Sequence, residues 1–198
     1  MKTEYEATFT NINKDEIRAR LKSVGANLIK TEFMQKRCTF ELPTGHEIPN
    51  GWLRVRDEQD RITMSLKVVT ENGTIDQQQE IELKVDKFQD ACDLLEKIGC
   101  EQKAYQESKR ELWELANVQI TIDEWPFLEP FVEIEGESEE EVREIAHRLG
   151  FDYTKAYFGS VTGLYATRYR ISEEQINKNT PLILFNMERN PFLPTPTK

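Results

Sequence analysis

The sequence predicts an α+β protein: a β-barrel with a charged lumen and helices packed on its outside. Three observations predict it. An acidic-x-acidic triplet occurs as Glu4-Tyr5-Glu6, Glu80-Ile81-Glu82 and Glu133-Ile134-Glu135, and in an extended segment each triplet puts both carboxylates on one face. Each is followed by a helix-like stretch that stops at a glycine, Gly25, Gly99 and Gly150 in turn, so the repeating unit is strand, helix, stop. Nearly every strand-like run also pairs an oily face with a polar face containing charges, and helices need the oily faces for burial.

The first helix starts at Asn13, with Glu16 fitting a capping box, and buries a stripe of Ile17, Leu21 and Val24. Residues 31–42 mix Phe33, Met34 and Phe40 with Lys36 and Arg37 and read as one or two strands. Turns follow at Pro43-Thr44-Gly45 and Pro49-Asn50-Gly51. In the next hairpin Leu53 and Val55 share one face and Arg54 and Arg56 the other; past a polar turn at 57–60, Ile62, Met64, Leu66 and Val68 oppose Thr63, Ser65 and Lys67. A turn at Glu71-Asn72-Gly73-Thr74 leads into 77–85, where Glu80, Glu82 and Lys84 oppose Ile81, Leu83 and Val85. The second helix, for which Asp86 is a candidate cap, carries Phe88, Cys92 and Leu95 on one face. Strands are predicted over 105–115, with Ser108 and Arg110 in phase, and over 118–122, just before Asp123. The third helix opens with Ser138 and Glu141 and buries Val142, Ala146 and Leu149. Beyond a domain of 1–170, residues 171–198 contain Pro181, Pro191, Pro194, Pro196 and an apolar run from Leu182 to Phe185, which predicts a packing extension with a disordered tail.

A chain of 198 residues with 38% hydrophobic content forms one sizeable domain. It contains no apolar run near the ~20 residues that cross a bilayer, and its N-terminus has no basic-then-apolar leader, so a cytoplasmic location is expected. Cys38, Cys92 and Cys100 lack metal-site spacing and read as buried thiols. A net charge of −10 argues against a general nucleic-acid binder. An acidic shell can still enclose a basic interior.

The charged strand faces must point together, outward to water or inward around a cavity. Surface strands usually intermix Lys and Glu, whereas here Arg pairs are segregated from Glu pairs, which favours the inward arrangement, a closed barrel. Paired carboxylates with Asp123 supply hard oxygen ligands for Mg²⁺ or Mn²⁺, Arg54 and Arg56 offer planar forks for phosphate oxygens, and Lys67 adds a point charge. Buried like charges repel, and a metal-bound polyphosphate needs both sets.

The opening Glu-x-Glu, the Trp52-Leu53-Arg54-Val55-Arg56 strand, Met64-Ser65-Leu66-Lys67, Gln79-Glu80-Ile81-Glu82, Lys109-Arg110-Glu111-Leu112-Trp113, and Asp123 followed by Phe131-Val132-Glu133-Ile134-Glu135 resemble the CYTH family, the triphosphate tunnel metalloenzymes. The resemblance runs from about Glu4 to Tyr165. It implies an eight-stranded antiparallel tunnel open at both ends, with Glu4, Glu6, Asp123, Glu133 and Glu135 on the metal side. Arg54, Arg56, Lys67, Arg110 and the late Lys155 would hold the triphosphate, and Glu80, Glu82 and Lys84 would line the tunnel further. The implied activity is that of a class IV adenylyl cyclase, turning ATP into cyclic AMP and pyrophosphate, or of a tripolyphosphate or thiamine triphosphate hydrolase. Family members can dimerise, which leaves a homodimer open. The family motif is Glu-x-Glu-x-Lys, and this chain has Thr8 in the lysine's place. Relatives also often carry basic residues near the positions of Gln78 and Ser108, a loss for which Lys36, Arg37, Lys84 or Lys109 could compensate. The lysine is implicated in activating water, so its loss weakens the case for hydrolysis and opens an alternative, a nucleotide or polyphosphate sensor without turnover.

Overall fold

The structure, a computed structural model, describes residues 1–70 and 73–193; Glu71 and Asn72 of the expected turn, and Pro194 and Pro196 of the expected tail, lie outside them. Alternating hydrophobicity builds eight strands: β1 (Lys2–Phe9), β2 (Asn27–Glu41), β3 (Gly51–Asp57), β4 (Ile62–Val69), β5 (Gln78–Val85), β6 (Glu101–Leu115), β7 (Val118–Glu124) and β8 (Phe131–Gly136). They pair antiparallel in the order β2-β3-β4-β5-β1-β8-β7-β6, and β6 pairs again with β2, so the sheet closes on itself as predicted. The stretch read as one or two strands is part of a single 15-residue strand, β2. Glu4, Glu6, Arg54, Arg56 and Lys67 turn into the lumen while Ala7, Phe9 and Val55 turn out to the helices.

Helices α1 (Lys14–Ser23) and α3 (Glu139–Arg148) lie over β1 and β6–β8, where Ile17, Leu21, Val142 and Ala146 bury against Ile120, Val132 and Ile134. Helix α2 (Phe88–Lys97) sets Cys92 and Leu95 against Cys38, Phe40 and Val55. All three cysteines are buried thiols. The glycine stops share one geometry. After α1 the N–H of Gly25, at φ +79°, reaches the Lys22 carbonyl and Ala26 N–H reaches Leu21; Gly99 and Gly150 repeat the pattern. This is the Schellman turn, whose left-handed residue costs least as glycine. Asn13 and Ser138 cap their helices, but without the return bond of the expected capping boxes, Glu141 accepting instead from the Glu137 N–H; Asp86 does not cap, since the middle helix starts one residue later, with Lys87 at the cap position and no side-chain cap bond. No helix of the described residues is long and apolar enough to cross a membrane.

After α3 come a short 3-10 turn (Tyr153–Lys155), α4 (Val161–Tyr169), α5 (Glu173–Asn179) and β9 (Leu182–Ile183). β9 adds a parallel pairing to β6 at Tyr105 and Gln106, and Tyr157 forms a two-way backbone bridge to Thr8. Both attachments sit at the barrel end where β1, β2, β4 and β7 finish. Tyr165, Ile176, Ile183 and Phe192 form a third apolar cluster there with Trp125 and Phe131. The expected boundary after residue 170 thus falls between two helices that pack in one cluster.

Candidate active site

Strand alternation delivers charged side chains to a lumenal cavity of about 980 Å³. Its walls are largely divided by charge, with Glu41 on the basic side and Lys2 on the acidic side as exceptions. One half carries Arg37 from β2, Arg54 and Arg56 from β3 and Lys67 from β4; the other carries Glu80 and Glu82 from β5, Glu4 and Glu6 from β1, and Glu133 and Glu135 from β8. Arg110 of β6 reaches toward the acidic half, with Nε 2.7 Å from Asp123 Oδ1 and Nη2 2.6 Å from Glu133 Oε2. Asp123 itself is fully buried behind Arg110 and does not reach the cavity surface.

Several of the lumenal charges are paired along the wall, between nearby strands or within one stretch of chain. Lys67 Nζ lies 2.7 Å from Glu4 Oε2 and 3.4 Å from Glu80 Oε2, Arg54 Nη2 lies 2.9 Å from Glu80 Oε1, and Arg56 Nε lies 3.0 Å from Glu58 Oε1. Three features remain uncompensated. Glu6 and Glu135 stand directly opposite each other across β1 and β8 with no hydrogen bond or ion pair among the described residues. Burial, then repulsion from Glu135 and Asp123 against the pull of Lys67 and Arg110, pushes the Glu6 carboxyl up. Arg37 and Arg56 are likewise register partners. Burial and the neighbouring guanidiniums hold Arg37 well below its ordinary range and bring Arg56 to about 10. The Nε atoms of Arg37 and Arg54 and the Thr63 hydroxyl are buried without a hydrogen-bond partner. Unfilled donors of this kind call for an acceptor.

Burial and a proton shared with Glu80 push Glu4 up to about 8, against Lys67, while Lys67 and Arg54 help hold Glu80 well below the carboxylate range despite its burial. The unfolded chain releases the Glu4 proton near its ordinary 4.5. Between those values the folded state binds the extra proton, so Glu4 makes the protein less stable as pH rises from about 5 to about 8, and the raised Glu6 and Glu133 carboxyls act with the same sign. Glu80 contributes with the opposite sign, below that window. Thermal melts at fixed ionic strength check this, and a midpoint that climbs from pH 5 to 8 without metal rejects it.

Three sequence expectations are displaced. Lys155 lies on the outer 3-10 turn, its side chain 80% exposed and 3.6 Å from Asp152, away from the cavity. Lys84 shares the inward phase of Glu80 and Glu82, but it sits at the barrel rim, exposed, and does not line the cavity. Thr8 is buried, with both backbone groups bonded to Tyr157, and is not a lining residue. Of the possible replacements for the absent cations, Arg37 faces the lumen, where its Nη2 lies 3.4 Å from Ser108 Oγ; Lys36 is exposed and Lys109 pairs with Glu124 at 3.2 Å. Tyr5, Phe33, Tyr105 and Trp113 pack in or against the core, and the rings that line the cavity are Trp52, Trp125, Tyr157 and Phe158.

Residues 45–164, more than half of the chain, match the CYTH domain. The chain belongs to the CYTH family. Among solved structures, a candidate adenylate cyclase of Vibrio parahaemolyticus aligns with a TM-score of 0.70 at 14% identity over 83% of this chain and 98% of its own. A conserved hypothetical protein of Pyrococcus furiosus gives 0.66 at 20% over 80% and 97%. A candidate adenylyl cyclase of Hippeastrum with a dominant triphosphatase activity gives 0.55 at 11% over 87% and 97%. At such identities these neighbours establish the shared fold. No curated protein matches the chain.

Among the described residues of this CYTH barrel, no three His, Cys, Asp or Glu side chains form a ready-made metal cage. The Glu6–Glu135 pair nevertheless suits Mg²⁺ or Mn²⁺ chemically. It offers two facing hard-oxygen donors with no cation of their own, and Mg²⁺ is usually held by one or two carboxylates plus substrate phosphates.

Proposed function

We propose that this CYTH protein is an Mg²⁺- or Mn²⁺-dependent enzyme that binds a triphosphate-bearing substrate in the tunnel and cleaves one of its phosphoanhydride bonds. The observation that carries the reading is the opposition of a basic and an acidic half-wall in one lumen, each holding buried groups left uncompensated. Arg37, Arg54, Arg56 and Lys67 would hold the phosphate oxygens, with Arg110 positioned between the two half-walls. Glu6 and Glu135, with Glu4 and Glu133 beside them, would hold the metal, which supplies charge neutralisation on the phosphates. The guanidiniums stabilise negative charge building on the leaving phosphate, already placed and shielded from water. Either a hydroxyl of the substrate attacks the α-phosphate and pyrophosphate leaves, or water attacks the terminal phosphate.

Thr8 favours a second reading. Nothing basic occupies its place, and its buried backbone pairing with Tyr157 keeps it from the cavity; a sensor that binds without turnover is consistent with that loss. Incubating the protein with ATP, inorganic tripolyphosphate or thiamine triphosphate and Mn²⁺, and resolving products by phosphorus NMR, separates the outcomes. Cyclic AMP with pyrophosphate means a cyclase, orthophosphate a hydrolase, and calorimetric binding without product a sensor. Absence of both binding and product for all three overturns the triphosphate assignment.

A further inference from the structure

The proposed chemistry occupies the shaft of the barrel, and the cavity extends beyond it. At about 980 Å³ it lies near the top of the ~300–1,000 Å³ range of pockets for drug-sized ligands, larger than a bare phosphate chain requires. The extra space lies at the end where β2 finishes and β3 begins, under the segment 157–183. The α5 and β9 part of this wall lies outside the CYTH-matched residues, since both elements follow residue 164.

Helix α5 turns one face to the cavity. Glu173, Ile176, Asn177 and Thr180 follow the i, i+3, i+4, i+7 spacing of a single helical face, and all four line the lumen. The helix is fixed in place. Ser172 and Gln175 form a reciprocal capping box, Ile176 and Ile183 sink into the cluster around Trp125, and Tyr165 stacks on Phe192 at 4.3 Å. The chemistry of this wall differs from that of the shaft. From 157 to 183 its lining residues include the Tyr157 ring, neutral hydrogen-bonding side chains, aliphatic surface and the Glu173 carboxylate, with no lysine or arginine among them. The Tyr157 hydroxyl is directed to the Ser160 carbonyl at 3.1 Å.

We infer that the α5–β9 wall is the subsite for the organic group of the substrate, and that this group is a neutral or cationic heterocycle rather than further phosphate. The inference rests on the triphosphate reading of the shaft. A longer phosphate chain would meet Glu173 with no compensating cation on this wall, whereas a ring bearing amino groups or positive charge finds a carboxylate and amide acceptors beside apolar surface. The substrates are therefore triphosphate esters, and inorganic tripolyphosphate fills only the shaft.

Calorimetry with Mn²⁺ tests this, using inorganic tripolyphosphate, ATP and thiamine triphosphate as probes against the full chain and the double variant E173Q/N177A, both of whose sites are exposed on a surface helix. The wild-type protein should bind at least one ester ~10-fold or more tightly than tripolyphosphate, as one or two hydrogen bonds to a charged or polar group imply. The double variant should lose most of that preference and keep its tripolyphosphate affinity within about twofold. Because E173Q removes a negative charge, the loss should be larger for the cationic thiamine ester than for ATP if both bind. Equal affinity of the wild type for all three probes, or an equal loss for all three in the variant, overturns the subsite. Failure of tripolyphosphate itself to bind defeats the shaft reading instead.

Discussion

Replacing Glu6 or Glu135 by glutamine is expected to lower metal-dependent turnover by about 100-fold or more while leaving the metal-free fold as stable as before or more so. The two effects have opposite signs because the same repulsion causes both. The carboxylates face each other across β1 and β8, neither meets a cation in the described structure, and burial already pushes Glu6 toward its protonated form. Like charges directly opposite on neighbouring strands cost roughly 0.2–1 kcal/mol, and for a chain of this size each kcal/mol moves the thermal midpoint by about 2–4 °C. Removing one charge should thus hold or raise the midpoint by up to a few degrees in chelator, yet abolish the increase that Mn²⁺ is expected to produce in the unaltered protein. Melts with and without Mn²⁺, beside turnover on whichever triphosphate is cleaved, read both effects. Unchanged Mn²⁺ stabilisation and turnover in both variants would remove the metal from this pair.

The barrel was legible because its strands alternate with period two, and a single inward face fixes every register around the ring. Arg54, Arg56, Lys67, Glu4, Glu6, Glu133 and Glu135 all reach the cavity on that logic. Arg37 obeys the same logic: Gln35, Arg37, Thr39 and Glu41 alternate against Cys38 and Phe40, a signal weakened by the adjacent Lys36. Lys155 misled because it lies in a turn, where no period sets the direction of a side chain. The cavity wall from α5 was hidden for a related reason. Seven residues of helix and a two-residue strand offer too few turns for a stripe to emerge, and they are ordered by tertiary contacts with Trp125 and Phe192 more than by local propensity. Alternation puts Asp123 on the inward face as a metal-side carboxylate but says nothing about depth, and Arg110 lies between it and the open lumen.

Arg37 should respond to substitution in the way that separates a ligand-binding charge from a structural one. Arg37→Met is expected to raise the thermal midpoint of the ligand-free protein and to weaken tripolyphosphate binding by about 10–100-fold, the equivalent of one charge-assisted hydrogen bond or ion pair to phosphate. The guanidinium is buried opposite Arg56, its Nε has no partner, and it has no carboxylate within ion-pair distance in the described structure. Its contacts are the Trp125 ring, 4.0 Å from Cζ, and the Ser108 hydroxyl, which also donates to Gln35 at 3.1 Å. Methionine keeps the stem against Trp125 and relieves the repulsion with Arg56, and because one partner of a buried ion pair is not being removed, no charge is stranded. Arg56→Met is the contrasting case. Buried Glu58 lies 3.0 Å from Arg56 Nε and would retain only Arg61 as an ion-pair partner, so that variant should lose both stability and phosphate affinity. Calorimetry with tripolyphosphate and melts in chelator measure the pair. A lower midpoint for Arg37→Met with unchanged tripolyphosphate affinity would make Arg37 a packing residue and leave phosphate binding to Arg54, Arg56, Lys67 and Arg110.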